Sequence, residues 1–261
     1  MPVSNILELH RKTRNNIGDY MCNPSRYFFF ENCSTEKLTN EVVISSIDSN
    51  TNVVIGGGGL LHKKYSAIIE DVISKSPKTI TLWSIGSNYS LKADPKCNPE
   101  WFSKIDLIGL RDFNSSLYSS NIHYVPCSSC LHKAFNRNYR TRYPKVYYLH
   151  NSETKFNRDN RSVPVMYNNT KNFEGVVSFL GSGETVVTDS YHGVYWAMLL
   201  GKNVQTIPWS TKFYTLKYTP VFIDDINNPT DETCFVPLTY KTECQELNRN
   251  FYERFKNLCR F

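Results

Sequence analysis

The chain has 261 residues, 40% of them apolar and 21% charged, which excludes a disordered polypeptide and allows one large domain or two small ones. A formal charge of +6 and a pI of 8.8 favour anionic small molecules, yet the basic residues form no stripe of the kind that nucleic acid requires. No apolar run approaches the ~20 residues of a membrane span, and MPVSNILELHRK lacks the apolar core of a signal peptide, so a cytoplasmic protein without a membrane span is expected.

Residues 14–28, RNNIGDYMCNPSRYF, place Asn16, Gly18 and Asp19 in a pattern that suits either a ligand-facing turn of backbone amides or an ordinary Asx turn. NVVIGGGGLL (52–61) reads as a buried strand running into a glycine turn, and KKYSAIIEDVISK reads as the helix behind it. Gly57 and Gly58 would let backbone amides approach an anion near that helix N-terminus. The lysine and hydroxyl of a P-loop and the ribose-binding acid of a dinucleotide motif are missing. Close strand–helix packing would explain the glycines too.

TITLWSIGSN (79–88) is a second buried strand. DLIGLRDFNSSLY (106–118) is a third, followed by a helix start. Arg111 within it suits bidentate recognition of a carboxylate or phosphate, or else a surface pair with Asp112. IHYVPCSSC (122–130) is a fourth strand, ended by Pro126. Cys127 and Cys130 form a CxxC among eight scattered cysteines, a distribution that suits reduced thiols. A zinc site needs two further ligands, with His123 and His132 nearest, and a redox dithiol would usually open a helix after a strand. A packed turn is the simpler reading, and no metal site is expected. The glycosylation-type sequons at Asn32, Asn88, Asn114 and Asn168 match chance in an Asn-rich chain.

The basic stretch NRNYRTRYPK (136–145) reads as a solvated linker. A second series of elements follows: KVYYLHNS (145–152), a helix and strand in EGVVSFLGSGETVVTDS (174–190), a helix in HGVYWAMLLG, and a strand in NVQTIPW (203–209). The tail ECQELNRNFYERFKNLC places Leu247, Phe251, Phe255 and Leu258 on one helix face. Buried strands alternating with helices predict an α/β protein with mostly parallel sheets, divided into doubly wound halves at 1–140 and 141–261, the C-terminal helix belonging to the second.

Ligands of open α/β sheets bind beyond the carboxyl ends of the strands. VVTDSYHG places Asp189, Ser190, His192 and Gly193 at such an end. An imidazole there can transfer a proton near neutral pH, Ser190 can donate a hydrogen bond, Asp189 can cap the helix or orient His192, and Gly193 allows close approach.

NIGD, VVIGGGGLL, LRDFNSS, VPCSSCLH and VVTDSYHGVYWAMLLGKNVQTIP, in this order and spacing, resemble the polysaccharide pyruvyl transferase family over about residues 14 to 215. The resemblance implies two Rossmann-like lobes facing a cleft, an arrangement like that of B-type glycosyltransferases. It implies transfer of pyruvate from phosphoenolpyruvate onto a sugar of a polysaccharide or glycan as a cyclic ketal, with phosphoenolpyruvate as donor substrate and no separate cofactor. His192 matches the family's histidine, Arg111 the arginine of its Arg-Asp motif, and Lys212 a downstream basic position. Ser190 stands where several members carry arginine. The expected site is therefore His192 with Asp189 and Asp19 as catalytic groups, and Arg111, Ser190, Lys212, Gly57, Gly58, Asn16 and Gly18 around the substrate. A nucleotide-sugar glycosyltransferase and a non-catalytic glycan-binding protein are the alternatives.

Overall fold

The computed structural model describes residues 5–13, 15–91, 100–113, 118–150, 156 and 163–260; Cys97, the Asn114 sequon and the helix start expected after Phe113 lie outside them. Strands β1 (Asn5–His10), β2 (Cys33–Lys37), β3 (Thr51–Leu61), β4 (Thr79–Ser87), β5 (Leu107–Leu110) and β6 (Ile122–Tyr124) form one parallel sheet in the order β2-β1-β3-β4-β5-β6. Strands β7 (Tyr143–Leu149), β8 (Val165–Tyr167), β9 (Gly183–Thr188), β10 (Asn203–Thr206) and β11 (Val221–Phe222) form a second, in the order β11-β10-β9-β7-β8. The helices are α1 (Ile17–Met21), α2 (Glu41–Ser45), α3 (Lys63–Ser74), α4 (Phe173–Gly181), α5 (Tyr191–Leu199) and α6 (Tyr240–Cys259). Parallel strands covered on both faces need near-continuous apolar runs, and Val53, Val54 and Ile55 in β3 and Val186 and Val187 in β9 are fully buried. Among the described residues no helix is long and apolar enough to cross a membrane.

The strand orders place the site. In the first sheet the chain runs from β1 to β2 on one side, then crosses to β3 on the other. In the second it runs from β7 to β8, then crosses to β9. Each reversal opens a crevice beyond the carboxyl ends of the two strands that flank it.

Several elements differ from the sequence reading. The glycine run does not turn the chain; β3 continues through it, with Gly57 and Gly58 at φ 48° and 103° and a register shift against β4 between Gly58 and Leu61. The linker is short, because β7 already begins at Tyr143, and it is solvated as expected: Arg140 and Arg142 are exposed, while Arg137 pairs with Glu174 at 2.8 Å and Lys145 with Asp231 at 3.6 Å. The C-terminal helix α6 bridges both halves. Phe251 and Phe255 pack with Phe30, Val54 and Trp83 of the first sheet, whereas Tyr240 and Cys244 join the core of the second. Its buried face includes Asn248 rather than Leu247, because Asn248 accepts from Trp83 Nε1 at 3.1 Å and donates to the Pro126 carbonyl at 2.9 Å.

Strand β1 was absent from the sequence reading because Glu8 and His10 interrupt its apolar pattern, and both are buried. Burial, with the charges of Lys12 and Arg26, pushes the His10 imidazole from 6.5 down to about 4. The unfolded chain therefore binds a proton that the folded chain refuses between those two values, and His10 withdraws stability as pH falls through that window. Urea midpoints at about pH 7 and about pH 4.5 are expected to differ less in His10→Leu than in the parent chain. An unchanged difference contradicts this assignment.

Candidate active site

The two crevices meet in one pocket of about 200 Å³. Arg11, Asn16, Asp19, Gly59, Asn88 and Arg111 line it from the first half, and His150, Ser190, Tyr191, His192, Trp209 and Lys212 from the second. The loops beyond β4 and β10 touch across it: Ser90 and Ser210 form an isolated antiparallel bridge, and Thr211 N donates to the Tyr89 carbonyl at 3.0 Å.

Asn16 builds the floor on the first side. Its Oδ1 caps α1, accepting from Gly18 N at 2.9 Å and Asp19 N at 3.4 Å. This places Asp19 in the pocket, where Arg11 Nη1 holds its carboxylate at 3.1 Å. Gly18 lies directly under the imidazole. A Cβ at this position would fall 2.2 Å from His192 Nδ1, so no larger residue fits without displacing the ring. Gly18→Ala is expected to lower stability by about 1–3 kcal/mol, the usual cost of overpacking a rigid neighbour. A thermal unfolding midpoint equal to that of the parent chain would show that the ring yields freely.

The second side is fixed by the passage from β9 into α5. Ser190 is the N-cap, its Oγ accepting from Gly193 N at 3.4 Å. Gly193 is needed because a Cβ there would meet Thr188 Oγ1 at 2.4 Å and Tyr148 at 2.7 Å. Every residue of α5 is buried, so His192, one turn from the strand, cannot swing away into solvent. Its ring lies 5.2 Å from that of Trp196, and its Nε2 is 3.7 Å from Cys127 Sγ. Asp189 is not the helix cap expected of it. The cap belongs to Ser190, and the Asp189 carboxylate accepts from His150 N at 2.7 Å, tying the end of β7 to the end of β9. The Asp189 carbonyl accepts from Trp209 Nε1 at 2.7 Å and holds that indole at the pocket, where it is 40% exposed.

Arg111 is only 3% exposed, and its guanidinium lies 4.0 Å over the Tyr191 ring. It is not half of a surface pair. Asp112 instead accepts from Ser87 N at 2.8 Å and Thr215 Oγ1 at 2.9 Å. Gly86 and Gly59 make room for the arginine: Cβ atoms there would come within 2.7 Å of its Nε and 3.3 Å of Nη2. Burial opposes a charge at this position, but Tyr191 and Asp112 outweigh it and keep the guanidinium protonated. Arg111 Nε has no hydrogen-bond partner among the described residues, an unmet donor beside the pocket. Lys212 adds a second cation, its Nζ 3.7 Å over the Trp209 ring.

The structure thus brings together His192, Asp19, Arg111, Ser190, Lys212 and Asn16, with Gly18 beneath the imidazole. Gly57 and Gly58 do not line the pocket. A Cβ on Gly57 would meet the Cys22 carbonyl at 2.3 Å, so that glycine serves close packing against the end of α1, and Gly59 is the member of the run that reaches the site. Arg11, Asn88, His150 and Trp209 were missed, each lying just past a strand in a segment whose sequence carries no motif of its own. Cys127 is the N-cap of a 3-10 turn at Ser128–Leu131 that contains Cys130, and no group of three or more His, Cys, Asp or Glu among the described residues could hold a metal ion.

No family model and no curated protein matches the chain. Among solved structures, a functionally uncharacterized protein from Klebsiella pneumoniae is similar at 16% identity over 85% of this chain and 93% of that one, with a TM-score of 0.53, which shows a shared fold. An alpha-glucosyltransferase in complex with UDP and DNA aligns at 9% identity over 97% and 90% of the two chains, TM-score 0.44. The wall teichoic acid polymerase TagF aligns at 11% identity over 98% and 84%, TM-score 0.45.

Proposed function

We propose that this protein transfers the pyruvyl group of phosphoenolpyruvate onto two hydroxyls of a sugar in a polysaccharide or glycan, forming a cyclic ketal and releasing phosphate. The observation that carries this reading is the meeting of His192 and Arg111 in one small pocket, with Arg11 and Lys212 on its rim. A proton donor next to several cations is what a donor substrate with a phosphate, a carboxylate and a basic methylene carbon requires.

In this reading Arg111 and Lys212 take the two anionic groups, and the side-chain amides of Asn16 and Asn88 supply further hydrogen bonds. His192 gives a proton to the terminal methylene, which becomes a methyl and leaves the central carbon electrophilic. A sugar hydroxyl adds to that carbon and passes its proton to Asp19 or to water. The carbon–oxygen bond to phosphate then breaks, phosphate leaving with the electron pair. A second hydroxyl adds, loses its proton and closes the ring. Two carbon–oxygen bonds to the sugar replace the phosphate ester bond and the double bond, and none of these steps calls for a metal or an electron carrier. Trp209, held by the Asp189 carbonyl, gives the acceptor sugar a fixed aromatic surface.

Pocket size favours this donor. About 200 Å³ is below the ~300–1,000 Å³ of sites for larger ligands, and it suits a three-carbon acid better than a nucleotide sugar. Thermal-shift measurements test the point. Phosphoenolpyruvate at about 100 times its dissociation constant should stabilise the fold by about 2.7 kcal/mol. Stabilisation by nucleotide sugars and not by phosphoenolpyruvate would overturn the proposal in favour of a glycosyltransferase.

A further inference from the structure

We infer that Cys127 is a positioning residue for His192: its sulfur accepts the Nε2 hydrogen of the imidazole, so that Nδ1 is the ring atom that exchanges a proton in the pocket. The inference rests on the proposed role of His192 as the acid of the site, and it gives a role to half of the CxxC pair.

The polarity of the hydrogen bonds around the sulfur carries the argument. Trp196 Nε1 can only donate, and it does so to Ser129 Oγ at 2.9 Å. Ser129 is thereby an acceptor on that side and can give its own hydroxyl hydrogen to Cys127 Sγ at 3.1 Å. Cys22 gives its thiol hydrogen to the Asp19 carbonyl at 3.1 Å and so can take that of Cys127, which leaves the Cys127 sulfur to receive from the imidazole nitrogen 3.7 Å away. His192 and Trp196 are four residues apart on α5, so both reach from one helix face to the same turn.

The turn is rigid enough to serve as a reference point. Tyr195 Oη donates to the Cys127 carbonyl at 2.9 Å, and Ser128 Oγ donates to the Cys22 carbonyl at 3.0 Å. Cys127 is 2% exposed and does not line the pocket, so it acts through the imidazole rather than on a ligand. At the other edge of the ring, Nδ1 packs over Gly18, whose chain neighbours Asn16 and Asp19 line the same pocket as His192. The surroundings of Cys127 agree. Burial raises its thiol, but hydrogen bonding with Cys22 and His192 outweighs burial and holds it well below its ordinary range. The other ionisable groups around the imidazole and in its pocket are Asp19 of α1, Cys22 at the C-cap of α1, Tyr191 of α5, Arg11, Arg111, His150 and Lys212.

The proton cycle follows. Protonated His192 carries hydrogens on both nitrogens. It loses the one on Nδ1 to the substrate carbon, remains as the neutral Nε2–H form against the sulfur, and regains the Nδ1 proton from water. The ring does not flip between turnovers.

Nitrogen-15 NMR of the full chain labelled at histidine tests this, with the His192 signals assigned by their loss in His192→Asn. Whenever the ring of the parent chain is neutral, it should show a protonated Nε2 and a bare Nδ1. The opposite tautomer in the parent chain would overturn the inference without any variant. Cys127→Ala should lose this preference and lower kcat at least tenfold with the donor KM within about twofold, whereas Cys127→Ser, whose oxygen can still accept, should restore both. Parent-like kcat and tautomer in Cys127→Ala would also overturn it. The NMR arm does not depend on the substrate, so failure of the pyruvyl-transfer proposal is read separately, as the absence of ketal product with the tautomer unchanged.

Discussion

His192→Ala is expected to lower the rate of pyruvyl transfer about 10²–10⁴-fold, the usual contribution of one positioned acid, while binding of phosphoenolpyruvate stays within a few-fold of the parent chain. The split follows from geometry. The groups proposed to bind the donor's anions stand on other elements: Arg111 just beyond β5 and Lys212 in the turn after β10. In the proposed mechanism the imidazole adds little to ground-state affinity and acts when the methylene carbon takes its proton, so its loss appears in kcat. The alanine also relieves the contact over Gly18 and leaves a gap beside Trp196, so the folded state must be verified by its thermal midpoint. A folded His192→Ala chain with full transfer activity contradicts the assigned role.

Arg111→Gln should act on the other parameter. Removing one partner of a desolvated, hydrogen-bonded charge pair costs about 2–5 kcal/mol, or roughly 30- to 5,000-fold in affinity. The expected result is a rise of that order in the donor KM, measured by initial rates and checked by calorimetric titration of phosphoenolpyruvate. Arg111 earns this expectation by its burial, its unmet Nε donor and its fixed place over Tyr191. Lysine should not substitute well, because a point charge cannot reproduce the planar fork or its stacking on the phenol. An unchanged donor KM in Arg111→Gln means that the anion sits elsewhere.

How much of this was legible in the sequence depended on whether each cue was local. The β9–α5 passage was legible because a β-branched run ends in Asp189 and Ser190 before a helix that is apolar beyond His192. The parallel α/β class was legible for the same reason in β3, β4 and β5. Strand β1 was not, since Glu8 and His10 are buried polar residues in an apolar strand, and only the tertiary surroundings show why they are tolerated. Gly18 read as a turn residue, although its tightest constraint is an imidazole 174 positions further along the chain. Arg11, Asn88, His150 and Trp209 are ordinary residues in sequence. They become a site only because two strand-order reversals face each other, which no spacing along the chain reveals. Cys127 is the same case: the CxxC spacing invited a metal or redox reading with Cys130, whereas the partners of its sulfur are a serine, the Cys22 thiol and the histidine of the site.

The most direct test is to run the reaction in heavy water with phosphoenolpyruvate and a panel of glycans, and to examine the product by mass spectrometry and NMR. Phosphate should appear in equal amount with a pyruvyl ketal whose methyl group carries one deuterium, taken from solvent through residue 192. No pyruvylated product from any glycan, or a hexose transferred from a nucleotide sugar instead, would contradict the account.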